Sequence, residues 1–227
     1  QFAIGKYPIT NAQYAVFMQA GGYDNLAWWT DEGKAFLSDK TKQKKPRYWG
    51  NLKFSKPAQP VLGMSSFEAI AFTTWLQDSM QSYYPSSEAQ AFQISLPTEQ
   101  QWQRAVQALP DGRDSKRQYP WGDDWDAQAC NHSVSRNRLQ RTSPVDAYET
   151  KGNVSPCGVV DMAGNAWEWC LTHVLTGSQE KEGSDARVHR GGSWFDDDPN
   201  RFKVTARHKP FPGFWTLYWA FRICLTF

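Results

Sequence analysis

No stretch of these 227 residues comes near the roughly 20 consecutive apolar residues that a membrane-spanning helix needs. Gln1-Phe2-Ala3-Ile4 does not read as a signal peptide either. An excess of one charge is also missing: 25 Lys and Arg stand against 23 Asp and Glu, for a net charge of +2. The basic residues are scattered apart from a short run from Lys40 to Arg47, which reads as a solvated loop, so the footprint of a nucleic-acid binder is absent. The expectation is a soluble chain with no membrane or nucleic-acid partner, the cytoplasm being the favoured compartment. Cysteine is sparse. Cys130, Cys157, Cys170 and Cys224 stand far apart, with no Cys-x-x-Cys spacing to suggest zinc or a redox pair. They read as buried free thiols, with one disulfide as the alternative. Internal repeats, low-complexity tracts, a glycine-rich phosphate loop and a Gly-x-Ser-x-Gly elbow are lacking as well.

Aromatic residues are plentiful. Twelve Trp, nine Tyr and thirteen Phe, within 40% hydrophobic residues overall, exclude a disordered chain. The length suffices to bury a substantial core, and no linker divides it, so residues 1–227 are expected to form one domain.

Three helix starts share one mechanism, in which a Ser or Thr caps the backbone N–H three residues on and a Glu or Gln reaches back. They are Thr10-x-x-Gln13, Ser65-x-x-Glu68 and Thr98-x-x-Gln101, each opening an apolar stripe at helical spacing. A weaker helix is expected over Asn25 to Leu37, and Pro57 to Gly63 reads as extended chain. Beyond Pro110 the pattern changes: Pro, Gly, Asn and Asp recur every few residues between short strand-like runs. Those runs are Val159-Val160, Arg187 to Arg190, Phe202 to Thr205 and Phe221 to Cys224, while Gly177 to Asp185 reads as an exposed loop. The fold class is α+β with much irregular structure.

Several strings follow one another in order along nearly the whole chain. They are Lys6-Tyr7-Pro8-Ile9-Thr10-Asn11, Gln59-Pro60-Val61, Leu96-Pro97-Thr98-Glu99-Gln100-Gln101-Trp102, Tyr119-Pro120-Trp121-Gly122, Asp161-Met162-Ala163-Gly164-Asn165-Ala166-Trp167-Glu168-Trp169, Arg190-Gly191-Gly192-Ser193-Trp194 and Ala220-Phe221-Arg222. Together they resemble the formylglycine-generating-enzyme, or sulfatase-modifying-factor, family, which implies a variant of the C-type lectin fold. Gly164, Gly191 and Gly192 suit positive φ or close backbone approach, so these strings report architecture first.

The resemblance implies a Ca²⁺ site, with Asp161 and Glu168 as side-chain ligands and Gly164 and Ala166 as carbonyl donors; two carboxylates around a glycine turn suit a hard cation. The other reading of the same residues is that Asp161 caps a turn and Glu168 pairs with an arginine such as Arg190 or Arg222. A second calcium site of some family members has no counterpart in the acid-free stretch from Asn131 to Arg141.

The family's oxidase activity depends on two cysteines just after Gly-Gly-Ser-Trp, which hold copper as thiolates. Here Trp194 is followed by Phe195-Asp196-Asp197-Asp198-Pro199, without sulfur, so no copper is expected. A second branch, the iron-dependent sulfoxide synthases, draws three histidine ligands from an added helical bundle. The histidines here, His132, His173, His189 and His208, are far apart in sequence.

The segment after Ser193 crowds rigid aromatics among polar residues, the composition of recognition surfaces. It also resembles the variable region of retroelement-diversified ligand-binding proteins, although Trp215 stands where arginine is common and Ala220 where glycine is. The resemblance implies Phe195, Asp196, Asp197, Asp198, His208, Phe211, Trp215, Tyr218 and Trp219 as ligand-binding residues. Expected, then, is a non-catalytic binding module for a protein or small-molecule ligand, carried on a calcium-stabilised scaffold. The alternative is the catalytic-pocket domain of an iron-dependent sulfoxide synthase or related oxygenase whose metal lies on another domain.

Overall fold

The computed structural model describes residues 1–39, 44–83, 92–109, 111–134 and 139–227. Part of the basic run, residues 40–43, and residues 135–138 of the acid-free stretch lie outside the described residues.

Local capping sets the helices. Thr10 and Thr98 each complete a capping box, opening α1 (Asn11–Gln19) and α4 (Glu99–Gln107). The same exchange opens α3 (Ser66–Tyr83): Ser65 Oγ accepts from Glu68 N, and the Ser65 N–H donates back to Glu68 Oε2 at 2.7 Å. The weak helix expected over Asn25 to Leu37 divides into a 3₁₀ turn, Leu26–Trp28, and α2 (Asp31–Asp39). Trp29 takes an extended conformation between them and buries its ring.

Strands β1 (Phe2–Ile4), β2 (Gln93–Ser95) and β6 (Cys224–Thr226) form one antiparallel sheet in the order β1-β6-β2. The second sheet places β3 (Trp167–His173) between β4 (Arg187–Arg190), antiparallel, and β5 (Trp219–Ala220), parallel. Every residue of β3 and β4 is buried, so neither strand shows the alternation of a half-exposed strand. Phe202 to Thr205, expected as a strand, instead begins within a 3₁₀ turn, Pro199–Phe202. The Asp198 side chain caps Asn200 N at 2.9 Å and Pro199 stands at the first position.

The larger core joins α1 and α3 to the second sheet. Tyr14 stacks on Phe72 with centroids 5.6 Å apart, and Phe221 packs edge-on to Phe72 at 5.3 Å. Burying each such large side chain contributes about 1.5–3 kcal/mol. The charged loop before β4 is pinned from beneath, because the buried Arg187 guanidinium donates to the carbonyls of Leu171, Glu180 and Lys181. All four cysteines are free; Cys130, Cys170 and Cys224 are buried as expected, whereas Cys157 is exposed. No helix among the described residues is long and apolar enough to cross a membrane.

Candidate functional site

The turn after β4 is built around one carboxylate. Asp196 Oδ2 accepts from Ser193 N at 2.9 Å, from Ser193 Oγ at 2.6 Å and from Trp167 Nε1 at 2.8 Å. Such charge-assisted bonds fix the turn firmly. Gly192 enters it at φ +77°, and a Cβ there would lie 2.5 Å from the Phe202 ring, so the tight approach needs glycine. Trp194 is held by its indole N–H on the Leu217 carbonyl, 2.9 Å, and by Ser133 Oγ donating to its own carbonyl, 2.9 Å.

This framework shapes a cleft of about 540 Å³, lined by Phe54, Trp194, Phe195 and Leu217 on its apolar side and by Asn51, Lys53, Ser133 and Gln140 on its polar side. Phe54 and Trp194 lie 5.6 Å apart, and Phe195 stacks on Tyr218 at 5.7 Å while remaining 61% exposed. The cleft thus sets apolar side chains, three of them aromatic, beside an equal number of polar ones, a mixture that can fix the orientation of a small molecule.

The nine residues expected to bind ligand separate into distinct groups. Phe195 lines this cleft, and Tyr218 is not among its lining residues but stacks on Phe195. Asp196 is the internal acceptor of its turn, and Asp198 caps the 3₁₀ turn beside the exposed Asp197. Trp219 is 4% exposed and belongs to the core. Trp215 lies under the Arg47 guanidinium, 3.7 Å from its ring centroid. Phe211 and Phe214 pair on the surface with centroids 6.2 Å apart. His208 sits half-buried beside Trp167. Phe54, Asn51, Lys53, Ser133, Gln140 and Leu217 come from remote segments and carry no local signal in the sequence, while Trp194 belongs to a string that reports architecture first.

For the calcium ligands, the structure contains the arginine pairing that the sequence left open. Glu168 Oε2 accepts from Arg222 Nε at 2.7 Å and from Trp102 Nε1 at 2.7 Å, while Oε1 accepts from Arg222 Nη2 at 2.6 Å. Both oxygens are thus engaged, and an added cation would meet a guanidinium, so Glu168 does not fit the role of a free ligand. Asp161 does fit: it is buried at φ +61°, Oδ2 accepts from Asn165 at 2.7 Å, and Oδ1 has no partner among the described residues. Burial holds its carboxyl well above the usual carboxylate range, opposed by the Asn165 bond and by Arg222. Gly164, at φ +77°, and Ala166 flank it; a Cβ on Gly164 would stand 2.5 Å from the Asn131 carbonyl oxygen.

The model of the sulfatase-modifying factor enzyme 1-like domain matches residues 1–226. The chain belongs to that family. Its fold is accordingly of the formylglycine-generating-enzyme type, a variant of the C-type lectin fold. It is 31% identical over 217 residues to a hercynine oxygenase of Mycolicibacterium thermoresistibile, a match covering 85% of this chain and 44% of that protein. It therefore spans less than half the length of that relative. It is 26% identical to the formylglycine-generating enzyme of Thermomonospora curvata, over 91% of this chain and 76% of that one. Among solved structures, Treponema denticola variable protein 1 superposes with a TM-score of 0.63 at 20% identity, covering 98% of this chain and 84% of the other, a likeness of fold.

Proposed function

We propose that this domain of the sulfatase-modifying-factor family is a ligand-holding domain without a thiolate metal centre, and that it serves as the substrate-binding half of an iron-dependent oxygenase similar to hercynine oxygenase. The observation that carries the reading is the cleft beside Trp194. Its position directly after Gly-Gly-Ser-Trp is where the family's oxidases have their cysteines, and here it is lined by aromatic rings and one lysine. Hercynine is a betaine, a trimethylammonium group and a carboxylate on a histidine frame. The faces of Phe54, Trp194 and Phe195 suit a quaternary ammonium, Lys53 suits the carboxylate, and Asn51, Ser133 and Gln140 supply hydrogen-bonding groups. The iron comes, on this reading, from protein outside these residues.

Titrating the chain with hercynine and with histidine, followed by tryptophan fluorescence, tests the assignment. Hercynine is expected to bind about fivefold or more tighter, since only it brings a quaternary ammonium to the rings. Equal affinity for the two would show that the aromatic rings of the cleft do not recognise the trimethylammonium group.

A second reading, a free-standing non-catalytic module for a protein ligand, is favoured by the exposure of Phe211 (64%) and Phe214 (60%). It gains if hercynine fails to bind and Phe211→Ala weakens capture of a verified protein partner.

A further inference from the structure

The four histidines of the chain fall into two pairs. His132 has both ring nitrogens engaged, Nε2 with the Ala127 carbonyl at 2.9 Å and Nδ1 accepting from Val134 N at 2.9 Å. His173 likewise meets the Glu180 carbonyl at 3.2 Å and Asp185 at 3.5 Å. His189 and His208 behave differently. His189 lies on β4, and its backbone exchanges both N–H···O bonds with His208, at 2.9 and 3.1 Å. Residues directly opposed in an antiparallel pair project to the same side, so this pairing sets the two imidazoles side by side.

Their rings are 6.1 Å apart between centroids and inclined by only 22°, and they make no hydrogen bond to each other. His189 is fully buried, and neither of its nitrogens has a partner among the described residues; His208 Nδ1 is also buried and unpartnered. Leaving a buried polar nitrogen unsatisfied costs about 1–3 kcal/mol, and three such atoms at one cross-strand pair call for an explanation. Around them are indoles: Trp169 and Trp219 stand edge-on to His189 at 3.8 and 4.7 Å, and Trp167 lies 5.6 Å from His208. Burial, then His208, pushes His189 well below the ordinary imidazole range. His208 is lowered by burial and Arg201 against the opposing pull of Asp196. Both imidazoles are therefore neutral at neutral pH, the form that binds metals.

We propose that the cross-strand pair His189 and His208 is a binding site for one late first-row transition-metal ion, with copper favoured over zinc and nickel. Two imidazole nitrogens in an indole-walled site suit such borderline ions, and copper(II) leads the divalent series. Calcium and magnesium are disfavoured because they demand oxygen ligands, and Asp196 is already held by Ser193 and Trp167. His208 is half-buried as a residue, while its Nδ1 and both His189 nitrogens are buried, so an ion held between them is shielded from bulk water. The site is separate from the Glu168–Arg222 pair and independent of the function proposed above.

The test is titration of the 227-residue chain with Cu²⁺, and separately with Zn²⁺, followed by tryptophan fluorescence, thermal unfolding and copper EPR. The expected result is saturable quenching at one copper per chain, a rise in Tm at saturation, and an EPR signal with nitrogen hyperfine structure from two imidazoles. His208→Gln should weaken binding about tenfold or more and leave the metal-free Tm close to the parent's. His189→Gln should do the same to binding; because it alters a core position, His208→Gln decides the matter if that variant does not fold. Absence of quenching, an oxygen-only EPR signal, or undiminished affinity in His208→Gln overturns the site.

Discussion

Arg222 and Glu168 meet inside the domain as a two-pronged ion pair, Nε to Oε2 at 2.7 Å and Nη2 to Oε1 at 2.6 Å, with side chains 0% and 1% exposed. Arg222 further donates to the carbonyls of Gly5 and Val160, so one guanidinium ties the N-terminal segment and the chain entering the Asp161 turn to β3. Breaking a buried pair from one side strands a charge. Glu168→Gln is expected to cost about 3–5 kcal/mol, measured by urea unfolding. Adding Arg222→Met should cost less than the sum of the two single changes, because the residues share one interaction.

Asp161 tests the calcium question. Its carboxyl is raised by burial, so the folded chain resists ionising it; stability is fully present below the unfolded value of 3.8 and is lost as pH rises through the folded value. With calcium chelated at pH 7, Asp161→Asn should raise Tm, and the advantage should vanish near pH 3. With Glu168 committed to Arg222, millimolar Ca²⁺ is expected to move the parent's Tm little. A rise that Asp161→Asn abolishes would instead place an ion on Asp161.

His189 gives the opposite slope. Its pKa is lowered, so its stability is present above the unfolded value of 6.5 and is lost as pH falls from there through the folded value. Metal-free unfolding measured from pH 7.5 to pH 5 should show the parent losing stability on acidification, and His189→Gln losing less.

Two glycines separate strain from crowding. Gly112 has φ +84° with nothing within 4 Å of a built Cβ, whereas Gly192 has φ +77° with the Phe202 ring 2.5 Å and the Arg201 carbonyl oxygen 3.0 Å away. Gly112→Ala should cost about 1–2 kcal/mol. Gly192→Ala should cost about 2–5 kcal/mol, because clash adds to conformation. Chemical denaturation of the two variants checks the difference.

What the sequence disclosed is what is decided within a few residues. The capping boxes at Thr10, Ser65 and Thr98 are three-residue affairs, and all three open helices. The ordered strings around Gly164 and Gly192 identified the fold because those turns need glycine wherever they occur. Long-range partners were out of reach. That Glu168 would choose Arg222 over Arg190 depends on where the chain end packs. That His208 would face His189 depends on a bridge between segments nineteen residues apart. Trp219 and Tyr218 look alike as sequence, yet register β5 beside β3 sends Trp219 into the core and leaves Tyr218 beside Phe195. The acidic triplet was likewise opaque: Asp196, Asp197 and Asp198 are adjacent, but only Asp196 turns inward to Ser193 and Trp167.

The claim that the cleft beside Trp194 holds the ligand is tested most directly by calorimetric titration of hercynine into the parent chain, Phe195→Ala and Lys53→Ala. Both side chains border the cleft, Phe195 being 61% exposed and Lys53 exposed too, so neither change should disturb folding. A parent Kd below about 1 mM and affinities about tenfold weaker in each variant are expected. Parent-like affinity in both variants, or no heat of binding in the parent, would contradict that claim.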